Sequence, residues 1–204
     1  MPRRDNPYRH ADHHSREARA QGYPARSVFK LEEIDRRARL LRPGQRVLDL
    51  GAAPGSWSLF AAQRIGPSGR LFAVDLQPLA QTLGPGCTFI QGDALSLQND
   101  QLALYAPYDV VLSDMAPSTT GNRESDAARS EELFLRAVDV AVHLGHPGSS
   151  FVGKLFMGGG FEEVRARLRQ AYQEVRLMRP DATRKQSVEI FLIGIGKRTA
   201  TAGP

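Results

Sequence analysis

Four ionisable residues occupy positions from which a sheet protein can do chemistry. They are Asp114 in Ser113-Asp114-Met115-Ala116-Pro117, Lys154 in Gly153-Lys154-Leu155-Phe156, Glu189 after Arg184-Lys185-Gln186-Ser187, and Lys30 near the N-terminus. A single acid or lysine at a strand end is ordinarily a solvated charge. Two lysines grouped with two acids can move a proton and stabilise developing charge. A second set lies earlier. The small-residue run Asp49-Leu50-Gly51-Ala52-Ala53-Pro54-Gly55-Ser56-Trp57 is followed by Asp75 and then by Asp93 in Gln91-Gly92-Asp93. Glycines at such a turn let the backbone approach a ligand closely.

To act together, these residues must sit on adjacent strand ends. From Arg46 onward, short apolar runs alternate with helix-period segments, the pattern of an α/β protein with a mostly parallel sheet. Seven strands are expected, near Arg46–Leu50, Leu71–Asp75, Thr88–Gln91, Asp109–Ser113, Ser149–Leu155, Val175–Met178 and Glu189–Gly196. Helices are expected at Ser27–Leu41, where Val28, Leu31, Ile34 and Ala38 share a face, and at Ser56–Ile65, Ser125–Leu144 and Phe161–Ala171. Turns are marked by Arg42-Pro43-Gly44, Gly66-Pro67-Ser68-Gly69 and Pro147-Gly148. No internal repeat is visible.

The glycine loop then follows the first strand, Asp75 closes the second and Asp93 follows the third. An acid after the second strand suits two ribose hydroxyls, and Asp93 suits an adenine amino group, so the set points to a nucleoside cofactor. NAD would bring a pyrophosphate, whose usual cradle is G-x-G-x-x-G. Here Ala53 takes the second glycine position and Pro54 has no N–H to donate. S-adenosylmethionine has no phosphate and carries a cationic sulfonium, which acid-rich strand ends suit better.

The chain of 204 residues, 41% hydrophobic and 24% charged, is in the range of one globular domain. A basic segment at 1–24, a single domain at 25–196 and a tail at 197–204 are expected, with mobility to about Arg16 and in the tail. No run is apolar enough to span a membrane, and the N-terminus lacks an apolar signal core, so a cytoplasmic protein without a membrane partner is expected. One cysteine, Cys87, excludes an internal disulfide. The net charge of +5 is uneven: residues 1–46 carry twelve Lys/Arg against six acids. This is the footprint of a polyanion partner such as RNA, or alternatively a solvated basic tail. A basic path runs from Arg26, Lys30, Arg36, Arg37 and Arg39 to Arg179, Arg184 and Lys185.

Taken in order, Ala25-Arg26-Ser27-Val28-Phe29-Lys30-Leu31, the Asp49–Trp57 loop, Asp114-Met115-Ala116-Pro117, Lys154 and the run Arg179–Glu189 resemble the FtsJ/RrmJ-type ribose 2′-O-methyltransferases over nearly the whole chain. The resemblance implies a Rossmann-like class I S-adenosylmethionine-dependent methyltransferase fold, α/β, with a seven-stranded, mostly parallel sheet whose last strand is antiparallel. It implies a catalytic tetrad of Lys30, Asp114, Lys154 and Glu189, and cofactor contacts from Gly51, Gly55, Trp57, Asp75, Asp93 and Asp114. The resemblance implies that Trp57 shapes the methionine end of the pocket; packing the first loop against its helix is the alternative. The compact chain is most similar to the bacterial large-subunit rRNA branch. That implies a uridine of the A-loop in 23S rRNA, or the assembling large ribosomal subunit, as substrate for a monomeric enzyme. Ser56 departs from a common third glycine, and Arg179 from a common lysine.

A tRNA ribose, a non-catalytic RNA-binding assembly factor and an NAD-dependent oxidoreductase are the other readings. Cytosine or uracil C5 methylation needs a cysteine nucleophile, for which only Cys87 is present. Amino methylation commonly uses an Asn/Asp-Pro-Pro-aromatic segment in place of Asp114-Met115-Ala116-Pro117. Tyr23, Phe29 and Phe156 are candidates for stacking on bases, with core packing the simpler role. No metal is expected: His10, Asp12, His13 and His14 lie in a segment without fixed geometry.

Overall fold

The computed structural model describes residues 8–184 and 186–199, with side chains from residue 13 onward. The elements are α1 (Tyr8–Ala20), α2 (Val28–Ala38), β1 (Arg46–Leu50), α3 (Ser56–Ile65), β2 (Arg70–Asp75), β3 (Cys87–Gln91), β4 (Tyr108–Ser113), α4 (Arg123–Leu144), β5 (Gly145–Phe156), α5 (Phe161–Ala171), β6 (Tyr172–Met178) and β7 (Glu189–Lys197). They form one seven-stranded sheet in the order β3-β2-β1-β4-β5-β7-β6. The pairs from β3 to β5 are parallel, whereas β7 is antiparallel to both β5 and β6. The order reverses between β1 and β4, and ligands of such sheets bind beyond the carboxyl ends of strands at that switch.

Both faces are covered because successive strand residues point to opposite sides. Leu48, Leu50, Phe72, Val111, Phe151 and Leu192 pack with Phe134 of α4 and Leu168 of α5. Val47, Val110, Leu112, Val152, Phe191 and Ile193 pack on the other face with Leu31, Ile34, Trp57 and Ala61. Val28, Leu31 and Ile34 of α2 are fully buried, as their spacing predicts.

Four boundaries differ from expectation by two or more residues: β6 begins at Tyr172 rather than Val175, and the other three differ for local reasons. Helix α2 stops at Ala38 because the Asp35 carboxylate accepts from the N–H groups of Leu40 (3.0 Å) and Leu41 (2.8 Å), while Arg39 turns left-handed at φ 54°. Helix α4 starts earlier because the Asn122 side chain caps it, accepting from Ser125 N at 3.1 Å. Strand β5 begins at Gly145 because an irregularity between Tyr108 and Val110 absorbs the Pro147-Gly148 turn inside the strand. A helix, α1, also occupies most of the segment that lacks apolar periodicity; Ala18 is fully buried, and Tyr23 just beyond it donates to Gln63 Oε1 at 2.7 Å.

Candidate active site

The loop after β1 is pinned by its neighbours. Gly51 N and Ala52 N donate to Val74 O, Asp114 N donates to Leu50 O at 3.1 Å, and Ala53 N donates to Asp75 Oδ2 at 2.8 Å. Gly51 sits at φ 77°, and a Cβ there would lie 2.7 Å from the backbone nitrogen of Met115. Glycine is therefore required twice, by conformation and by the close approach of the segment that follows Asp114. Above this loop lies a cavity of about 420 Å³ whose polar wall includes Asp75, Asp93, Asp114 and Lys154, with Met115 and Leu133 among its apolar members.

The first turn of α3 is closed to a pyrophosphate. Ser56, Trp57 and Ser58 are all buried; Ser56 Oγ binds the Ala25 main chain, and Ser58 Oγ donates to Asp49 Oδ2 at 2.6 Å. What the cavity offers instead is negative charge at three strand ends. Beneath it, Asp49 is fully buried and its Oδ1 has no hydrogen-bond partner. Burial, opposed by the Ser58 hydrogen bond and reinforced by the charges of Asp114 and Asp75, raises its carboxyl to about 7. Such a wall suits a nucleoside that carries a positive charge.

Lys154, 8% exposed, enters this cavity from β5. Its ammonium donates to the Asp114 main-chain oxygen at 2.6 Å and lies 3.0 Å from Asp114 Oδ1, out of line for a hydrogen bond to that oxygen. Lys30 and Glu189 form the other half, with Nζ 2.5 Å from Oε1 and both side chains nearly enclosed. The Lys30 ammonium also lies 5.9 Å from the Phe191 ring centroid. Lys30 and Glu189 line a second cavity, also about 420 Å³, with Arg26, Arg184, Gln186 and Ser187. Partial burial and the neighbouring Arg184 charge lower the Arg26 pKa, so two guanidinium groups face one space. Ser27 lines both cavities.

The four tetrad residues are thus gathered as two ion pairs on two adjoining cavities. Gly51, Asp75, Asp93 and Asp114 line the first, and Arg26, Lys30 and Arg184 line the second. Trp57 and Gly55 line neither. Trp57 is 2% exposed, packs 5.7 Å from the Phe191 ring and donates from Nε1 to Ser27 O at 2.9 Å. It shapes the junction through Ser27 and does not form the pocket wall expected of it. Gly55 caps α3 at φ 115°. Arg37, half-exposed, is engaged by Glu33 at 2.8 Å, and Arg36 is exposed. Arg179 donates to Ser187 O at 2.7 Å, bracing the connection between β6 and β7. Lys185 lies outside the described residues.

Cys87 opens β3, at the end of the sheet opposite Asp75 and Asp93, and burial raises its thiol pKa. Its place rules it out as the nucleophile of a base methylation at the crevice. His13, His14 and Glu17 bring donor atoms within 4.8 Å of one another on α1; the side chains of His10 and Asp12 lie outside the description. Phe156 is half-buried and cross-strand from Glu189. Among the described residues, no helix is long and apolar enough to cross a membrane. No residue type or spacing marks Ser27, whose role comes from its carbonyl, or Asp49 as an acid raised to about 7. The apolar strand around Asp49 was the available signal.

The profile of the FtsJ-like methyltransferases matches residues 23–197. A curated protein of Sorangium cellulosum named Ribosomal RNA large subunit methyltransferase E is 63% identical over 195 residues, covering 96% of this chain and 92% of that one. One of the same name from Desulfatibacillum aliphaticivorans is 47% identical over 188 residues, covering 92% and 91%. In fold, a crystal structure described as a ribosomal RNA methyltransferase from Plasmodium falciparum superposes with a TM-score of 0.74 at 23% identity, covering 86% of this chain and 98% of that one. The glycine loop, the strand-end acids and the paired lysines all fall inside the matched span, and the chain belongs to the FtsJ-like methyltransferase family.

Proposed function

We propose that this enzyme transfers a methyl group from S-adenosylmethionine to the ribose 2′-hydroxyl of a uridine in the A-loop of large-subunit rRNA, within the assembling large subunit. The observation that carries the reading is the junction at Ser27, where an acid-walled cavity holding Lys154 and Asp114 meets a cation-lined cavity holding Lys30 and Glu189. The curated relatives named for large-subunit rRNA support the substrate class.

Asp75 and Asp93 are the acceptors for the ribose and the adenine of the cofactor. One Asp75 oxygen bonds the loop at Ala53 N and the other bonds Gln77 N, which fixes the carboxylate before the ligand arrives. The acids Asp75, Asp93 and Asp114 around the cavity fit a cationic group above the glycine loop. The cofactor supplies an activated methyl group with a good leaving group. The chain must then orient the ribose and remove or stabilise the charge of the attacking oxygen, whose proton is lost as it attacks.

Lys154 acts there, either accepting that proton or directing the oxygen lone pair as a cation. Asp114 holds the Lys154 ammonium through its main-chain oxygen, and Glu189 holds Lys30 on the side where the nucleotide enters. Arg26, Arg184 and Lys185 are assigned to the phosphates that flank the target, contacts that set position and salt dependence more than base identity.

Unmodified large subunits, free rRNA and tRNA incubated with labelled S-adenosylmethionine test the reading, with ribose methylation mapped by nuclease digestion and mass spectrometry. Label on one A-loop uridine, lost in Lys154→Ala, is expected. Label confined to tRNA, or cofactor binding with no transfer to any RNA, overturns the substrate assignment.

A further inference from the structure

The connection between β6 and β7, residues 179–188, supplies one wall of the cation-lined cavity through Arg184, Gln186 and Ser187. Arg26, Ser27 and Lys30 supply the facing wall, at the start of α2 and in the turn before it. More than 150 residues of chain separate the two walls, so something must set their spacing. One buried acid does so. Glu33, one helical turn after Lys30, is 6% exposed, and neither its position nor its charge is used in the chemistry proposed above. Its Oε2 accepts from Asp181 N at 2.7 Å, and its Oε1 lies 2.8 Å from the Arg37 guanidinium. Arg37 in turn lies 3.9 Å from the Asp181 carboxylate, and Arg26 Nη2 donates to Ala182 O at 2.6 Å.

We infer that Glu33 is a positioning residue for the RNA side of the site, latching the β6–β7 connection onto α2 so that its cationic wall stands opposite Arg26 and Lys30. The inference rests on the RNA reading of that cavity. An acid so buried is costly unless it is paired and hydrogen-bonded; the ion pair with Arg37 stays on α2, and the hydrogen bond from Asp181 N reaches the loop. Among the described residues, the loop's other hydrogen bonds run within itself or to the chain after β5: Thr183 N donates to Pro180 O, Ser187 N to Arg184 O, Arg179 to Ser187 O, and Met157 N to Val188 O, while Pro180, Ala182 and Thr183 are buried. Such bonds give the loop a shape but do not fix its distance from α2. The Glu33 and Arg26 contacts do. Because Arg184, Gln186 and Ser187 line the second cavity and no described residue of 179–188 lines the first, the latch acts on RNA without touching the cofactor pocket.

The test compares wild type, Glu33→Ala and Glu33→Gln as full chains. Glu33→Gln keeps an oxygen for Asp181 N and loses the ion pair; Glu33→Ala loses both. Amide hydrogen exchange of residues 180–187 is expected to quicken about tenfold in Glu33→Ala and less in Glu33→Gln, the size expected for losing one charge-assisted hydrogen bond. KM for the RNA substrate is expected to rise by about the same factor in the same order, with kcat changed by less than about threefold and the cofactor Kd unchanged. Unaltered loop exchange in Glu33→Ala overturns the latch. A loosened loop with unchanged KM overturns its role in RNA positioning, and a parallel loss of cofactor affinity and thermal stability assigns Glu33 to general folding instead. If wild type methylates no RNA, the functional reading fails separately. Loop exchange then decides the latch, and salt-dependent binding of a uridine-rich oligoribonucleotide to wild type and Glu33→Ala decides the positioning.

Discussion

The two cavities that meet at Ser27 are built on different principles. The cofactor side is made by the sheet: Gly51, Asp75, Asp93, Asp114 and Lys154 follow or close β1, β2, β3, β4 and β5, and backbone hydrogen bonds lock their spacing. The side assigned here to RNA is made by side chains and one connection: Arg26 and Lys30 from α2 and the turn before it, Arg184, Gln186 and Ser187 from the loop before β7. A small, invariant ligand can be met by a rigid frame. A large, charged one is met by long cations whose effect is electrostatic and whose spacing depends on a latch.

This difference is open to attack at several points, and the largest effect is expected where the halves join. Lys154→Ala should lower kcat by about 10²- to 10⁴-fold, the usual contribution of a positioned acid–base or charge-stabilising group. RNA binding, read by salt titration, should be unaffected. A rate that rises toward alkaline pH in wild type favours proton acceptance by Lys154, whereas a flat profile favours its cationic role.

A smaller but diagnostic effect is expected from Asp49. Its carboxyl keeps its proton to about pH 7 in the folded chain and loses it near the ordinary 3.8 when unfolded. The folded state therefore binds more protons in between, and this group's stabilising contribution, complete below about pH 4, is lost as pH rises to about 7. The change amounts to a few kcal/mol by the usual conversion. Asp49→Asn should remove that slope from the difference in denaturation free energy between variant and wild type; parallel curves would refute the protonated acid.

Gly51→Ala tests the rigidity of the cofactor side. Left-handed backbone costs a non-glycine residue about 1–2 kcal/mol, before any contact with Met115 is counted. Weaker cofactor binding by at least about tenfold is expected by calorimetry, and wild-type affinity would mean that the loop yields. Arg184→Ala should have the smallest effect: a modest rise in RNA KM and a salt-dependence slope reduced by about one, as for removal of one phosphate contact. An unchanged slope would take Arg184 out of the RNA path.

The same contrast explains what could be read from the sequence. Strand-end residues were legible because each follows a recognisable apolar run, so Asp75, Asp93 and Asp114 could be placed without knowing any contact. Lys30, Lys154 and Glu189 came together only through the order of strands, in which the resemblance supplied the antiparallel last strand. For Trp57 the sequence leaves two roles open, because adjacency to the glycine loop does not say which way an indole points; the structure packs it against Phe191. Arg37 belongs to the basic path by its type alone, and only the fold shows its guanidinium engaged by Glu33 at 2.8 Å. The limits of α2 were not legible either, because Asp35 works through two backbone N–H groups past the helix end.

The antiparallel setting of β7 has a practical side. Strands β4 and β5 run toward the crevice and β7, beside β5, runs away from it, so Glu189 reaches the site from a strand's beginning and Lys197 leaves at the opposite end of the sheet. An affinity handle or fluorophore joined after that strand would depart from the opposite pole of the molecule, clear of both cavities. An attachment between α1 and α2 would enter directly beside Arg26 and Ser27. Immobilised or labelled forms meant to report on encounters with very large substrates should therefore be built on the C-terminal side.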